Sequence, residues 1–340
     1  MTARSGPDRA RRSGCGGRRL AGWAALHAFA LAGLLAPSAV HAATAADCPP
    51  QAQAPTPEQL ELATREARDR GFLWRIERDG RVSYLYGTIH VGRANWLVPG
   101  PRVSAAIAVS DHIALELDLL DPDILRRLSE GFRQLPAESL PPALAARLRV
   151  LLAAECLPPL EAMDRLSPSM QLATLTSVAA RRDGLDPAFA IDGVLAVYAR
   201  VLGKPVVSLE TPELQVALLR GDPATLPERL AGGVSDLEQD RVRPMLLRVA
   251  QAWDEGNAEE FENYEQWCDC ATTDADRAEQ RQLLDERNPA LADRIAALHG
   301  SGARVFAAVG TLHMFGAQGL PGLLAQRGFR VERVGFARAP

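Results

Sequence analysis

Val82-Ser83-Tyr84-Leu85-Tyr86-Gly87-Thr88-Ile89-His90 and Val305-Phe306-Ala307-Ala308-Val309-Gly310-Thr311-Leu312-His313 are two versions of one pattern, set near opposite ends of the chain. Each is an apolar run stopped by Gly-Thr-x-His, which reads as a buried strand. A glycine at the strand end permits a sharp exit or a close backbone approach and leaves the histidine at the strand's carboxyl edge. In open α/β sheets ligands bind along that edge. At this composition Gly-Thr-x-His is expected on the order of 0.02 times per chain, so two copies in matching contexts are not an accident.

Working outward, 72–78 and 81–86 read as two strands joined by Asp79-Gly80, a strong hairpin turn. Thr56-Pro57-Glu58-Gln59 starts a helix that runs to Arg70, with a capping Thr, Pro at the first position and Gln at the third. Strands are expected at 113–119, 204–210, 304–309 and 329–336, the second of these as a third core strand. Helices are expected near 101–110, 122–134, 141–154, 168–182, 188–202, 213–220, 236–255, 257–265, 274–286, 289–299 and 318–327. Strands at both ends with helices between imply an α/β (α+β) fold. Its central mixed sheet has the N- and C-terminal strands adjacent, and the large helical middle packs as a cap. No Pro/Ser linker divides 56–340, so one domain is expected there.

Upstream, an arginine-rich stretch at 4–19 precedes an apolar run at 20–35, with Val40 and Ala42 placed at −3 and −1 of a cleavage site. This is the pattern of a secretory signal peptide over 1–42, followed by a loose segment at 43–55. An uncleaved anchor is the alternative, though the apolar core is short and Ala/Gly-rich for a span. Residues 1–42 carry six arginines and one aspartate, so their removal takes the net charge from −4 to −9. That balance argues against nucleic acid or an anionic membrane as partner. With no later run of spanning length, no stable membrane insertion is expected, and the location is periplasmic or secreted.

Four cysteines follow the leader: Cys48, Cys156, Cys268 and Cys270. An even count in an exported chain reads as two disulfides. Cys268 and Cys270 are close enough that a direct bond implies strain, so each is expected to reach one of Cys48 and Cys156. A C-x-C metal site is the alternative, without a nearby histidine.

Four histidines follow the leader as well: His90, His112, His299 and His313. A lone histidine is more often structural than a ligand, and His112 and His299 are read so, His299 suiting a helix C-terminus. The duplicated motif reverses that for His90 and His313. Two imidazoles at one metal want a carboxylate as third ligand and an open position for water. Glu116 is the best candidate, because a carboxylate inside an apolar strand must be paired, protonated or metal-bound. Against this, Glu116 and Asp118 alternate and would suit an outward face. Glu210 resembles Glu116 at the end of its own strand, or is simply the residue before the Thr211 cap. Arg287 lies between two helices, able to reach a carboxylate or a substrate anion, or to sit on a solvated face. No serine nucleophile motif, phosphate loop or dinucleotide fingerprint stands in a fitting context.

The two Gly-Thr-x-His motifs, Leu115-Glu116-Leu117-Asp118, Leu209-Glu210-Thr211-Pro212-Glu213-Leu214-Gln215 and Glu286-Arg287-Asn288 together resemble the TraB/PrgY/GumN family, most closely its exported GumN branch. That family is related to the Tiki metalloproteases and more distantly to the erythromycin-esterase and ChaN-like proteins. The resemblance spans about 72–336. It implies an exported metal-dependent hydrolase, a peptidase first of all, acting on a peptide or another small-molecule substrate. His90, His313 and Glu116 would hold a divalent ion (manganese, cobalt or zinc), with Glu210 and Arg287 as supporting catalytic residues. Two alternatives share the fold. One is a non-catalytic periplasmic protein holding a peptide, haem or other ligand. The other is a metal-free, esterase-like hydrolase with His90 and Glu116 as an acid–base pair.

Overall fold

The computed structural model describes residues 48–134, 140–157, 163, 166–270 and 273–336. The leader at 1–42 and the first part of the segment at 43–55 lie outside the described residues. β1 (Phe72–Arg78) and β2 (Arg81–Thr88) form the expected hairpin, with Arg78 opposite Arg81 and Phe72 opposite Gly87. Asp79 and Gly80 both take positive φ, 54° and 70°, the geometry that a two-residue turn needs to follow the right-handed strand twist.

β3 (His112–Leu115), β4 (Val206–Ser208), β5 (Val305–Gly310) and β6 (Arg330–Val334) complete a six-stranded mixed sheet in the order β4-β3-β5-β2-β1-β6. β2, β5, β3 and β4 run parallel, while β1 is antiparallel to both β2 and β6. The two motif strands are therefore neighbours, with Thr88 opposite Gly310. Val305, Phe306, Ala307, Ala308 and Val309 are fully buried, as expected of a central parallel strand covered on both faces. Charged Arg330, Glu332 and Arg333 lie along the edge strand β6, where charge discourages pairing with another chain.

A close approach of backbone to ring lies behind β2. Gly71 sits at φ 71°, and a Cβ added there would lie 2.5 Å from the indole nitrogen of Trp253. That nitrogen donates to Gly87 O at 2.8 Å, so the buried ring ties the Val242–Glu255 helix to the end of β2. The helical middle carries a smaller core of its own. Leu144, Leu148 and Leu152 recur at four-residue spacing on the Pro142–Ala154 helix and pack with Leu175, Leu230 and Val234.

Several expectations are corrected. β3 stops at Leu115 rather than continuing to 119, because Asp118 turns the chain: Asp121 N donates to Asp118 O at 3.0 Å and Leu120 N to its carboxylate at 3.2 Å. Glu116 and Asp118 therefore do not share an outward face. Both are buried, and Asp118 pairs with Arg200 at 2.7 Å. β4 is an edge strand of three residues. The helix expected at 236–255 is two helices, Leu226–Glu238 and Val242–Glu255, parted where Asp240 takes φ 52°. His299 is fully buried and does not serve the helix dipole. Its Nε2 donates to Arg78 O at 3.0 Å, and its Nδ1 accepts from the Ser83 hydroxyl at 2.9 Å. Burial lowers its pKa, so a neutral ring clamps the Asn288–Gly300 helix to the hairpin.

The disulfide pairing also differs. Cys48 bonds Cys156, with Cα atoms 5.6 Å apart, and Cys268 bonds Cys270 across 5.0 Å. The second bond forms because Asp269, at φ 53°, folds the chain back and brings the two Cα atoms within disulfide range. Cys48–Cys156 closes a separation of 108 residues. Replacing both by Ser is expected to cost about 2–4 kcal/mol in denaturant unfolding under oxidising conditions. An unchanged midpoint would show that the bond does not restrain the unfolded chain.

Candidate active site

Parallel β2, β5, β3 and β4 all deliver their carboxyl ends to one edge, and the residues that follow them meet there. The two motifs interlock first. A Cβ on Gly87 would lie 2.8 Å from the Thr311 hydroxyl, and that hydroxyl donates to Thr88 O at 2.9 Å. The glycine of one copy makes room for the threonine of the other.

His90 follows β2. Its Nδ1 lies 2.8 Å from Asp192 Oδ2, and the Thr88 hydroxyl donates to Asp192 Oδ1 at 2.6 Å. Asp192 is in the first turn of the Ile191–Val201 helix, whose Ile191 N donates to Ile89 O at 3.0 Å. A carboxylate facing Nδ1 puts a proton on that nitrogen and leaves Nε2 to face the cleft. Asp192 also raises the His90 pKa to about 9. The His90 side chain is 71% exposed, so it is open to an incoming molecule.

His313 follows β5 and is buried. Its Nδ1 lies 2.6 Å from Asn288 Oδ1, while Asn288 Nδ2 donates to Gln318 O at 2.8 Å. That second bond orients the amide, so His313 carries its proton on Nδ1 and its Nε2 is a lone pair. Burial, with the charge of Arg287, pushes the His313 pKa down to about 4.

Glu116 follows β3. Its Oε1 accepts from Gly310 N at 2.8 Å and its Oε2 from Arg287 Nη2 at 2.5 Å. Burial works against ionisation, yet the nearby positive groups and the Gly310 amide hold the carboxyl down at about 2. A Cβ on Gly310 would lie 3.3 Å from Glu116 Oε1, 3.5 Å from His313 Cδ2 and 3.8 Å from His90 Nε2. The space over this glycine is where the three side chains meet.

Glu210 follows β4. Its Oε1 accepts from Arg287 Nε at 2.8 Å, and its Oε2 accepts from Arg287 Nη2 and from Gln215 Nε2, each at 2.6 Å. Thr211 caps the next helix through Leu214 N, so both readings of this stretch hold at once. Arg287 finishes with Nη1 donating to Leu283 O at 2.8 Å and lying 3.1 Å from His313 Nε2. Four of the five candidates from the sequence are thus joined through Arg287, and His90 lies beside them over Gly310.

Two members carried no role in the sequence reading. Asp192 looks like any acid in a helix's first turn. Asn288 was legible only as the residue after Arg287.

The model matching this chain is that of the TraB/PrgY/gumN family, over residues 72–333. The chain belongs to the TraB/PrgY/gumN family. No curated protein and no solved structure matches it. The matched span of this TraB/PrgY/gumN member holds every residue of the network just described.

Whether the site suits a divalent ion turns on Arg287. Among the described residues no group of three His, Cys, Asp or Glu side chains is arranged to hold one. The donor chemistry nevertheless fits: two imidazoles whose Nδ1 atoms are each held from behind by an oxygen, and an ionised carboxylate. The guanidinium of Arg287 bonds that carboxylate and abuts one of the imidazoles, so an ion and Arg287 compete for the same donors. Among the described residues no helix is long and apolar enough to cross a membrane. The two disulfides are compatible with an oxidising, exported setting.

Proposed function

We propose that this TraB/PrgY/gumN member is an exported hydrolase, a metal-dependent peptidase of the periplasm or extracellular space. The observation that carries the reading is the tautomer lock on both histidines. Asp192 and Asn288 each face an Nδ1, so Nε2 is the atom of each ring left for an ion, and His90 would give up its second proton to bind one. Histidines held this way are typical of metal ligands.

His90, His313 and Glu116 would hold manganese, cobalt or zinc. Such an ion, when bound, lowers the pKa of water and polarises a scissile carbonyl. The chain's own residues do the rest. His90, the exposed member, meets the substrate. Gly310 N holds one Glu116 oxygen in place. Arg287 supplies a fixed positive charge for the developing oxyanion or a substrate carboxylate. Glu210, bonded to Arg287 through both oxygens, orients it.

The test is elemental analysis of residues 43–340 after incubation with each metal, beside His90→Ala and His313→Ala. About one equivalent in the wild type, lost in both variants together with peptide hydrolysis, is the expected result. A wild type that takes up no metal overturns it.

A second reading, metal-free hydrolysis, has one observation in its favour: Arg287 already places a permanent cation beside Glu116 and His313. There His90, charged over Asp192, gives a proton to the leaving group while Glu116 faces the attacking water. Activity that survives chelation selects this reading.

A further inference from the structure

We propose that Cys268–Cys270 is a dithiol exchange site that opens and closes in the folded protein while Cys48–Cys156 stays shut.

Three observations bear on it. The first is topological. One residue separates Cys268 from Cys270, against a separation of 108 for Cys48 and Cys156. Loop closure in the unfolded chain grows with the residues enclosed, so the short ring gains little from chain entropy. Its persistence is set by local chemistry rather than by global stability.

The second is access. Cys270 is exposed, whereas Cys268 is only 8% exposed. Attack depends on which sulfur a thiolate can reach, and here it can reach one. Cys270 N donates to Cys268 Sγ at 3.1 Å. That donor would steady negative charge on Cys268 as the bond breaks.

The third is that the segment is anchored without the bond. Trp267 donates from Nε1 to Glu260 O at 2.8 Å, packs edge-on against Tyr264, and lies under the Arg248 guanidinium at 4.1 Å. Cys268 belongs to neither apolar core. Opening the ring therefore asks little of the surrounding fold.

The partner is a dithiol, small or protein-borne. One of its thiolates bonds to Cys270 Sγ, the Cys268–Cys270 bond breaks, and the electron pair leaves on Cys268, which takes a proton. The partner's second thiolate then attacks its own sulfur in the mixed disulfide. It leaves as a disulfide and returns Cys270 as a thiol. Two electrons pass to the pair, and the reverse sequence oxidises a dithiol.

The experiment equilibrates residues 43–340 in graded dithiothreitol buffers, traps thiols by alkylation, and reads each cysteine by peptide mass spectrometry. Cys268 and Cys270 are expected to be half-alkylated at a reduced-to-oxidised ratio at least tenfold lower than Cys48 and Cys156 require, with the far-UV spectrum unchanged. Opening of both pairs at one ratio, or of Cys268–Cys270 only on unfolding, overturns the proposal. Single variants test the direction of attack. The free thiol in Cys268→Ser should react with an aromatic disulfide at least tenfold faster than that in Cys270→Ser, and equal rates would refute attack at Cys270.

Discussion

Arg287→Gln is expected to lower the unfolding free energy by about 3–5 kcal/mol in chelator, and a saturating divalent ion should restore most of that loss. The magnitude follows from burial. The Arg287, Glu116 and Glu210 side chains are 10%, 11% and 4% exposed, and one guanidinium bonds both carboxylates. Removing it leaves two like charges out of water without the cation they share, which is the costly way to break a buried pair. Glutamine keeps some hydrogen bonding but none of the charge. A bound ion supplies the charge again, and at a thousandfold excess over its dissociation constant contributes about 4 kcal/mol. The variant should also bind the ion more tightly than the wild type, since its competitor has gone. A loss under about 1 kcal/mol would mean that the network is not a buried ion pair in energetic terms. A full loss without metal rescue would leave Arg287 structural and argue against the ion.

The second large effect is at Asp192. Asp192→Asn removes the charge that raises the His90 pKa to about 9 from the ordinary 6.5. A raised folded-state value means that the proton's contribution to stability is complete below about 6.5 and lost as pH rises through about 9. The variant should flatten stability across that window, by an amount kept small by the ring's exposure. In the metal-free protein the His90 resonance should titrate near the ordinary value by NMR. If His90 is a ligand or proton donor as proposed, activity should fall about 10–100-fold. An NMR titration unchanged by the substitution would show that something other than Asp192 holds the ring's charge.

Much of this network could be read from residues alone because local signals and global fold agree. Asp79-Gly80 specifies its turn, and the run from Val305 to Val309 is apolar on both faces because β5 is central. The duplicated Gly-Thr-x-His marks two strands whose glycine and threonine fill each other's space. What stayed hidden depends on tertiary approach. Asp192 and Asn288 come from helix first turns, where acids and amides are common for reasons of capping, and only the sheet edge tells which ring each faces. The end of β3 is not legible from alternation because Asp118 terminates the strand by bonding its own neighbours. Cys268 and Cys270 depend on one left-handed residue, Asp269, whose φ no spacing rule reveals.

The strand order β3-β5-β2 has a consequence for timing. β5 is made nearly last, yet it fills the middle of the sheet between two strands made early. A chain emerging from its N-terminus has β2 and β3 before the strand that joins them, and loop closure across most of the chain must wait for Val305–Gly310. His313 arrives with that strand, and Glu116 meets the Gly310 amide only then. The candidate site is therefore completed only when β5 takes its place, so an unfinished chain lacks it.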